Sequence, residues 1–223
     1  MTTYAHFAEK MPAFFKKLAA NQDRDWFLAN KARYEAEVRD PLRALLADLN
    51  EELAKRGVPL ACDPVKAIFR INRDVRFSKD KSPYKNNIAA CLYHDGVKDS
   101  GGLLYLHFSP EEMFVAAGFY GMEPAALMKM RQRIASKQTD WLEVEQALSK
   151  AGFVLSDEQS LKRLPKGFDA EKVEPVERAL RLKSHTIRQP LTAKDMGKRN
   201  LVSRLGDFAE TAFPLLEFGW KAG

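Results

Sequence analysis

Cysteine is nearly absent. Cys62 and Cys91 are the only two in 223 residues, too few for a disulfide framework, and they read as reduced thiols of a cytoplasmic protein. Long apolar runs are missing as well. The longest uncharged apolar stretch, Met113 to Met122, is about half of the roughly 20 residues a spanning helix needs, so no membrane partner is expected. The N-terminus MTTYAHFAEK has no apolar segment of the kind a secretory leader carries. Glycine and proline stand at 12 and 11, which excludes collagen-like and low-complexity classes. The four histidines, His6, His94, His107 and His185, show no HExxH or HxH spacing, and neither cysteine sits in CxxC. No GxSxG elbow and no glycine pattern of a Walker loop exists. No metal or cofactor is expected, and these motifs name no reaction. His94 and His107 fall on strands expected to be neighbours, and the parity of the hairpin register decides whether they share a face.

What is present is an ordinary globular composition, 45% hydrophobic and 30% charged. A chain of this length buries about 70% of its unfolded surface and needs no staples. The net charge of +6 is unevenly placed. Residues 66–85 carry seven basic and two acidic side chains, and residues 162–205 carry twelve and five. The sequence around these two blocks is neutral or acidic. Local positive fields of this kind draw phosphates and nucleic acid; the alternative is that acidic and basic blocks face each other and cancel.

The first third reads as helical. Phe14, Phe15 and Leu18 mark one helix over 13–20. Trp26, Asn30, Tyr34 and Val38 recur every four residues along a second, from about Asp23 to Val38. Asp40-Pro41 reads as an N-cap with proline at the first helical position, opening a third helix whose leucines form one stripe and which Gly57 ends. After Pro59 the period changes to two. Phe69, Ile71, Val75 and Phe77 fall on one side of an expected strand, with Arg70, Asn72, Asp74 and Arg76 on the other. Further strands are expected at 87–94, 103–108, 113–120 and 180–187, with a short one at 153–155. Helices are expected from Pro124, over 140–150, and from Thr192 to Trp220 with an interruption at Pro214. The expectation is a single α+β domain over 1–223: N-terminal helices (about 12–56), a strand meander (about 66–120) and a helical and mixed part (about 124–221). Its sheet of about five strands is antiparallel, with a mixed sheet as the alternative, and the helices before and after it pack mainly on one face.

The densest chemistry lies in Arg70 to Lys85. Two guanidiniums with a carboxylate between them form either a neutralised ladder or a fork for an anionic oxygen cluster. Lys81, Tyr84 and Lys85 follow on a loop suited to cradling phosphate. Arg70, Arg76, Lys81, Tyr84 and Lys85 are therefore the candidate ligand residues. Asn30, Lys31 and Tyr34 join them if their helix end packs nearby. Asp74, Arg73 and Asp80 are expected as structural or electrostatic partners, Asp74 with a carboxyl held low by its arginine neighbours.

The stretches WFLANKARYEAEV from Trp26, FRINRDVRFSKDKSPYKNN from Phe69, LYLHFSPEEMFVAAGFY from Leu104 and LKRLPKGFD from Leu161 resemble the bacterial DUF2461 family, a family of conserved hypothetical proteins. The resemblance runs in the same order over nearly the whole chain. It implies a single α+β domain of this length and brings no activity with it. Three functional readings follow from the residues. The first is a basic pocket for a phosphorylated or otherwise anionic small molecule, the second is nucleic-acid binding across blocks 66–85 and 162–205, and the third is a structural or interaction protein with no ligand.

Overall fold

The computed structural model describes residues 7–76, 79–98, 101–196, 198 and 200–222. Helix α1 (Phe7–Ala20) buries Phe7, Met11, Phe14, Phe15 and Leu18, a stripe at helical spacing that begins a turn earlier than the apolar pattern after Pro12 suggests. The expected second helix is divided. Asp23 caps α2 (Arg24–Ala29) by accepting from the N–H groups of Asp25 and Trp26. At Asn30 the chain leaves helical geometry (φ −105°, ψ 7°) before α3 (Lys31–Tyr34). The Asn30 amide donates back to Trp26 O at 2.9 Å, a bond to the preceding turn that competes with continued helix.

From Tyr34 the chain stays helical into α4 (Asp40–Lys55), so Asp40 opens no new helix. A wide π turn over Glu35–Arg39 carries the backbone there, closed by the Asp40 N–H donating to Glu35 O. Pro41 follows directly. The wide turn shifts the hydrogen-bond register just ahead of a residue with no N–H, so helical direction survives the proline. Leu42, Leu45, Leu46, Leu49 and Leu53 form the buried stripe of α4.

The sheet is a five-stranded antiparallel meander in the order β1-β2-β3-β4-β5: β1 (Leu60–Ala61), β2 (Ile88–His94), β3 (Leu103–Phe108), β4 (Met113–Phe119) and β5 (His185–Leu191). Its register places Ile88, Ala90 and Leu92 opposite Phe108, Leu106 and Leu104, and sets Leu106 and Leu104 opposite Val115 and Ala117. These residues form the buried face, covered by α4, α6 (Gln138–Lys150) and α10 (Leu201–Trp220). Helix α5 (Pro124–Ser136) packs outside, against α8 (Glu177–Arg181). Short helices α7 (Ala170–Val173) and α9 (Ala193–Met196) complete the chain. The alternation of period two leaves the other face to Cys91, Tyr93, Tyr105, His107, Phe114 and Arg188.

Four further expectations are corrected. Residues 69–76 form no ladder strand. They make one isolated bridge, Asn72 to Tyr84, after another at Ile68 to Ala90, because Ile68 and Ile71 turn into the core while Phe69 stays 44% exposed. The chain leaves β2's edge there in an excursion closed by Arg73 N–H to Pro83 O and Lys85 N–H to Ile71 O, both 2.8 Å. Phe77 and Ser78 lie outside the described residues, as does His6. The last strand starts at His185, since Leu180 belongs to α8, and 153–155 forms no strand. Pro214 sits inside α10 without ending it; the buried stripe from Leu205 to Leu216 holds both halves on one line against a local cost of about 3 kcal/mol.

Candidate functional site

The uncovered face of the sheet is the floor of a cleft of about 670 Å³. The β2 side is walled by Phe69 and Lys85 from the excursion. The β5 side is walled by Ser156, Glu158, Gln159, Lys183 and Ser184. The Ser156 N–H donates to Thr186 O at 2.9 Å, which seats this second wall against the strand. A smaller recess of about 210 Å³, lined by Arg70, Asn87 and Ala89, shares Phe69, Lys85 and Tyr105 with the main cleft.

The floor is aromatic. Ring centroids run from Phe69 to Tyr105 at 6.3 Å, from Tyr105 to His107 at 6.0 Å and from His107 to Phe114 at 4.8 Å. Period two puts Tyr105 and His107 on this face, and the register lays Phe114 opposite His107. Gly118 keeps β4 and β5 close at the far end: its φ is +126°, and a Cβ would stand 2.1 Å from His185 O. Tyr120, 72% exposed, stands at the rim.

Polar groups are few and directional. Tyr105 Oη lies 3.0 Å and Asn87 Nδ2 3.3 Å from His107 Nδ1. Burial lowers the His107 pKa, with Glu112 and Glu111 opposing and Arg188 assisting. Burial pushes the Tyr105 phenol up to about 12 and the Cys91 thiol up to about 11, so the phenol stays protonated and the thiol is a poor nucleophile. Arg188 stacks over Phe114 at 3.7 Å and meets Glu112 at 2.5 Å. Lys85 Nζ lies 5.7 Å from the Phe69 centroid. Burial lowers its pKa, and the neighbouring charges of Arg70 and Arg73 add to that. Among the described residues, neither Arg70 nor Lys85 has a carboxylate within 4.0 Å.

The remaining candidates divide. Arg76 is held by Asp74 through two contacts, Nε to Oδ1 at 3.0 Å and Nη2 to Oδ2 at 2.7 Å, which lowers the Asp74 pKa. Arg73 pairs with Asp80 at 3.0 Å and reaches Tyr84 O at 3.4 Å. Asp80 also caps Ser82. Lys81 donates to Val75 O at 2.8 Å. Tyr84 is 4% exposed and stacks on Phe27, and Phe27 in turn meets Tyr34 at 5.7 Å. The end of α2 therefore does dock against the excursion, through a packed aromatic seam. Lys31 is exposed on the outside. Of the eight candidate ligand residues, Arg70 and Lys85 line the cleft or its recess, and Asn30, Lys31, Tyr34, Arg76, Lys81 and Tyr84 line neither.

His94 and His107 face opposite sides of the sheet, because the β2–β3 register sets Ala89 opposite His107 and leaves His94 on the helix-covered side. Among the described residues no group of three metal-ligating side chains comes together. The cleft residues that sequence reasoning passed over are Phe69, Asn87, Tyr105, Phe114 and Arg188, and it weighed His107 only as a partner of His94. Their signal was the alternation in LLYLHF, where Leu104, Leu106 and Phe108 claim the core and leave Tyr105 and His107 on the other face.

A single antiparallel sheet with helices over one face and an aromatic cleft on the other defines an α+β protein with one open sheet face. A family model described as "Conserved hypothetical protein (DUF2461)" matches residues 10–218, and the chain belongs to that family. The comparisons with curated proteins and with solved structures found no match. Among the described residues, no helix is long and apolar enough to cross a membrane.

Proposed function

We propose that this chain binds an anionic small molecule with a flat apolar body on the uncovered face of the sheet. One observation carries the reading: Lys85 lines the aromatic-floored cleft and Arg70 the recess beside it, and neither has a carboxylate within 4.0 Å among the described residues. A planar body stacks on Tyr105, His107 and Phe114. An anionic group at its end meets the exposed Arg70 fork and the Lys85 ammonium, whose partial burial strengthens its attraction. A cytoplasmic location goes with this reading, since both cysteines are free thiols.

The test is a thermal-shift and calorimetry panel of phosphorylated metabolites, nucleotides, aromatic carboxylates and short oligonucleotides. A binder should lose about tenfold or more in affinity in Arg70→Ala and in Lys85→Ala, the worth of one charge-assisted hydrogen bond. A panel without a binder, or a binder indifferent to both substitutions, overturns the reading.

A second reading has its own support. Each basic block contributes a lysine to one wall of the cleft, Lys85 from the first and Lys183 from the second, and the second also places Arg188 on the floor. A single nucleic-acid strand laid across the sheet would stack bases on the same aromatics. Its mark is an affinity falling steeply with salt, a log–log slope near −0.7 per phosphate contacted. A small anion shows a much shallower slope.

A further inference from the structure

Two donors converge on one ring nitrogen in the middle of the cleft. The Asn87 amide nitrogen lies 3.3 Å and the Tyr105 hydroxyl 3.0 Å from His107 Nδ1. An amide nitrogen has hydrogens to give and no lone pair to offer, so in this orientation Nδ1 would accept from it and the imidazole proton would sit on Nε2. The phenol stays protonated and lies within hydrogen-bond distance of the same nitrogen, able to share in donating to it. The Phe114 ring holds the imidazole face-on, 4.8 Å away at 14°. Among the described residues Nε2 has no hydrogen-bond partner and is not among the buried unpartnered polar atoms.

We propose that His107 is the specificity-determining residue of this cleft, a neutral imidazole locked by Asn87 and Tyr105 so that Nε2–H is offered to an acceptor atom on the flat body of the bound anion. This role rests on the anion-binding reading given above. The groups acting on the ring are Glu111 and Glu112 in the β3–β4 turn, which favour its protonation, and Arg188 on β5, which opposes it. Arg188 is tied to Glu112, so the nearest carboxylate is already satisfied. Loss of solvent outweighs the acids, and the ring enters neutral solution uncharged. A neutral imidazole donor selects for a carbonyl oxygen or a ring nitrogen, because a C–H in the same place leaves Nε2–H unpaired on binding.

The lock is read without any ligand. Long-range proton–nitrogen correlation spectra of the nitrogen-15-labelled chain, with His107 assigned by its loss in His107→Gln, should show a protonated Nε2 and a bare Nδ1. The titration midpoint should lie below 6.5. Asn87→Asp places a carboxylate beside Nδ1 and should draw the proton there and raise the midpoint, with the fold checked by the backbone amide spectrum. Should that variant not fold, Tyr105→Phe removes one donor and should move the tautomer balance instead. A wild-type proton on Nδ1, or an even tautomer mixture, overturns the lock. The donor role is read by nicotinate and isonicotinate against benzoate, which share shape and charge and differ in a ring acceptor. At least one pyridine carboxylate should bind about two- to tenfold more tightly than benzoate, and the preference should disappear in His107→Leu. Equal binding of all three overturns the donor role alone. No binding by these or by any member of the wider panel removes the anion reading, and the donor role with it.

Discussion

Phe27 stacks on Tyr84 with ring centroids 4.5 Å apart and planes 29° from parallel. That contact ties the first helical layer to the basic excursion and sets where Lys85 emerges. Phe27→Ala should cost about 3 kcal/mol of stability, typical of a truncated buried aromatic. It should also open the excursion to limited proteolysis at Lys79 and Lys81 under conditions where the wild type is uncut. Unchanged protease resistance would mean the excursion holds its place without the seam.

Arg56 joins α4 to α10. Its guanidinium meets Glu52 at 2.8 Å, Asp207 at 2.7 Å and Glu210 at 2.9 Å, and donates to Ser203 O at 3.2 Å. Gly206 makes room for it, since a Cβ there would come within 2.7 Å of Arg56 Nε. Both α10 carboxylates are solvent-exposed, so screening reduces each pair to a fraction of its bare attraction. Arg56→Met should lower stability by about 1–2 kcal/mol, and high salt should narrow the gap to wild type. A denaturation midpoint equal to that of wild type would show that the network is neutral.

Pro214 removes one hydrogen bond from the middle of α10. Pro214→Ala restores the donor to Glu210 O within a helix that already runs on through this position and buries residues on both sides of it. Thermal unfolding should shift upward, corresponding to a gain of about 1–3 kcal/mol. A downward shift would show that the proline ring is itself a required part of the packing.

His185 is fully buried on β5, with Nε2 3.0 Å from Ala179 O and its ring edge-on to Trp141. Burial lowers its pKa from 6.5 to about 4, with the positive charge of Arg131 adding to the effect. The folded state thus resists a proton that the unfolded chain accepts. Its contribution is fully present above about pH 6.5 and is lost as pH falls toward 4. Between pH 6.5 and 5 the slope approaches at most about 1.4 kcal/mol per pH unit from this one group. Urea denaturation at half-unit steps should show that slope, and His185→Gln should flatten it. A wild-type curve level between pH 7 and 5 would contradict it.

The fold was legible where side-chain periodicity meets one dominant environment. LLYLHF and MFVAAGF alternate against a helix-covered face, and both became strands close to their expected bounds. The stretch RINRDVR alternates too, with Arg73 the exception on its apolar side, yet its period reflects a surface loop with Ile71 tucked inward; alternation reports burial and says nothing of who donates the backbone hydrogen bonds. The same difference governs the site. Arg70 and Lys85 could be named from charge density alone. That Asp74 would take Arg76, and Asp80 Arg73, depends on turn geometry within a few residues. His107 became notable only through Asn87, twenty residues away, and strand register alone brings those two together.

Both borders of the sheet are blunt. On one side β1 pairs over only two residues, and beyond it the chain at Ala67 and Phe69 bonds to β2 in its place. On the other, Pro190 breaks the donor row of β5, and Ser156 occupies Thr186 O. A foreign strand finds no long free row of amides to extend. A chain that leaves one broad sheet face open to solvent is thereby guarded at its rims against self-templated growth into fibrils.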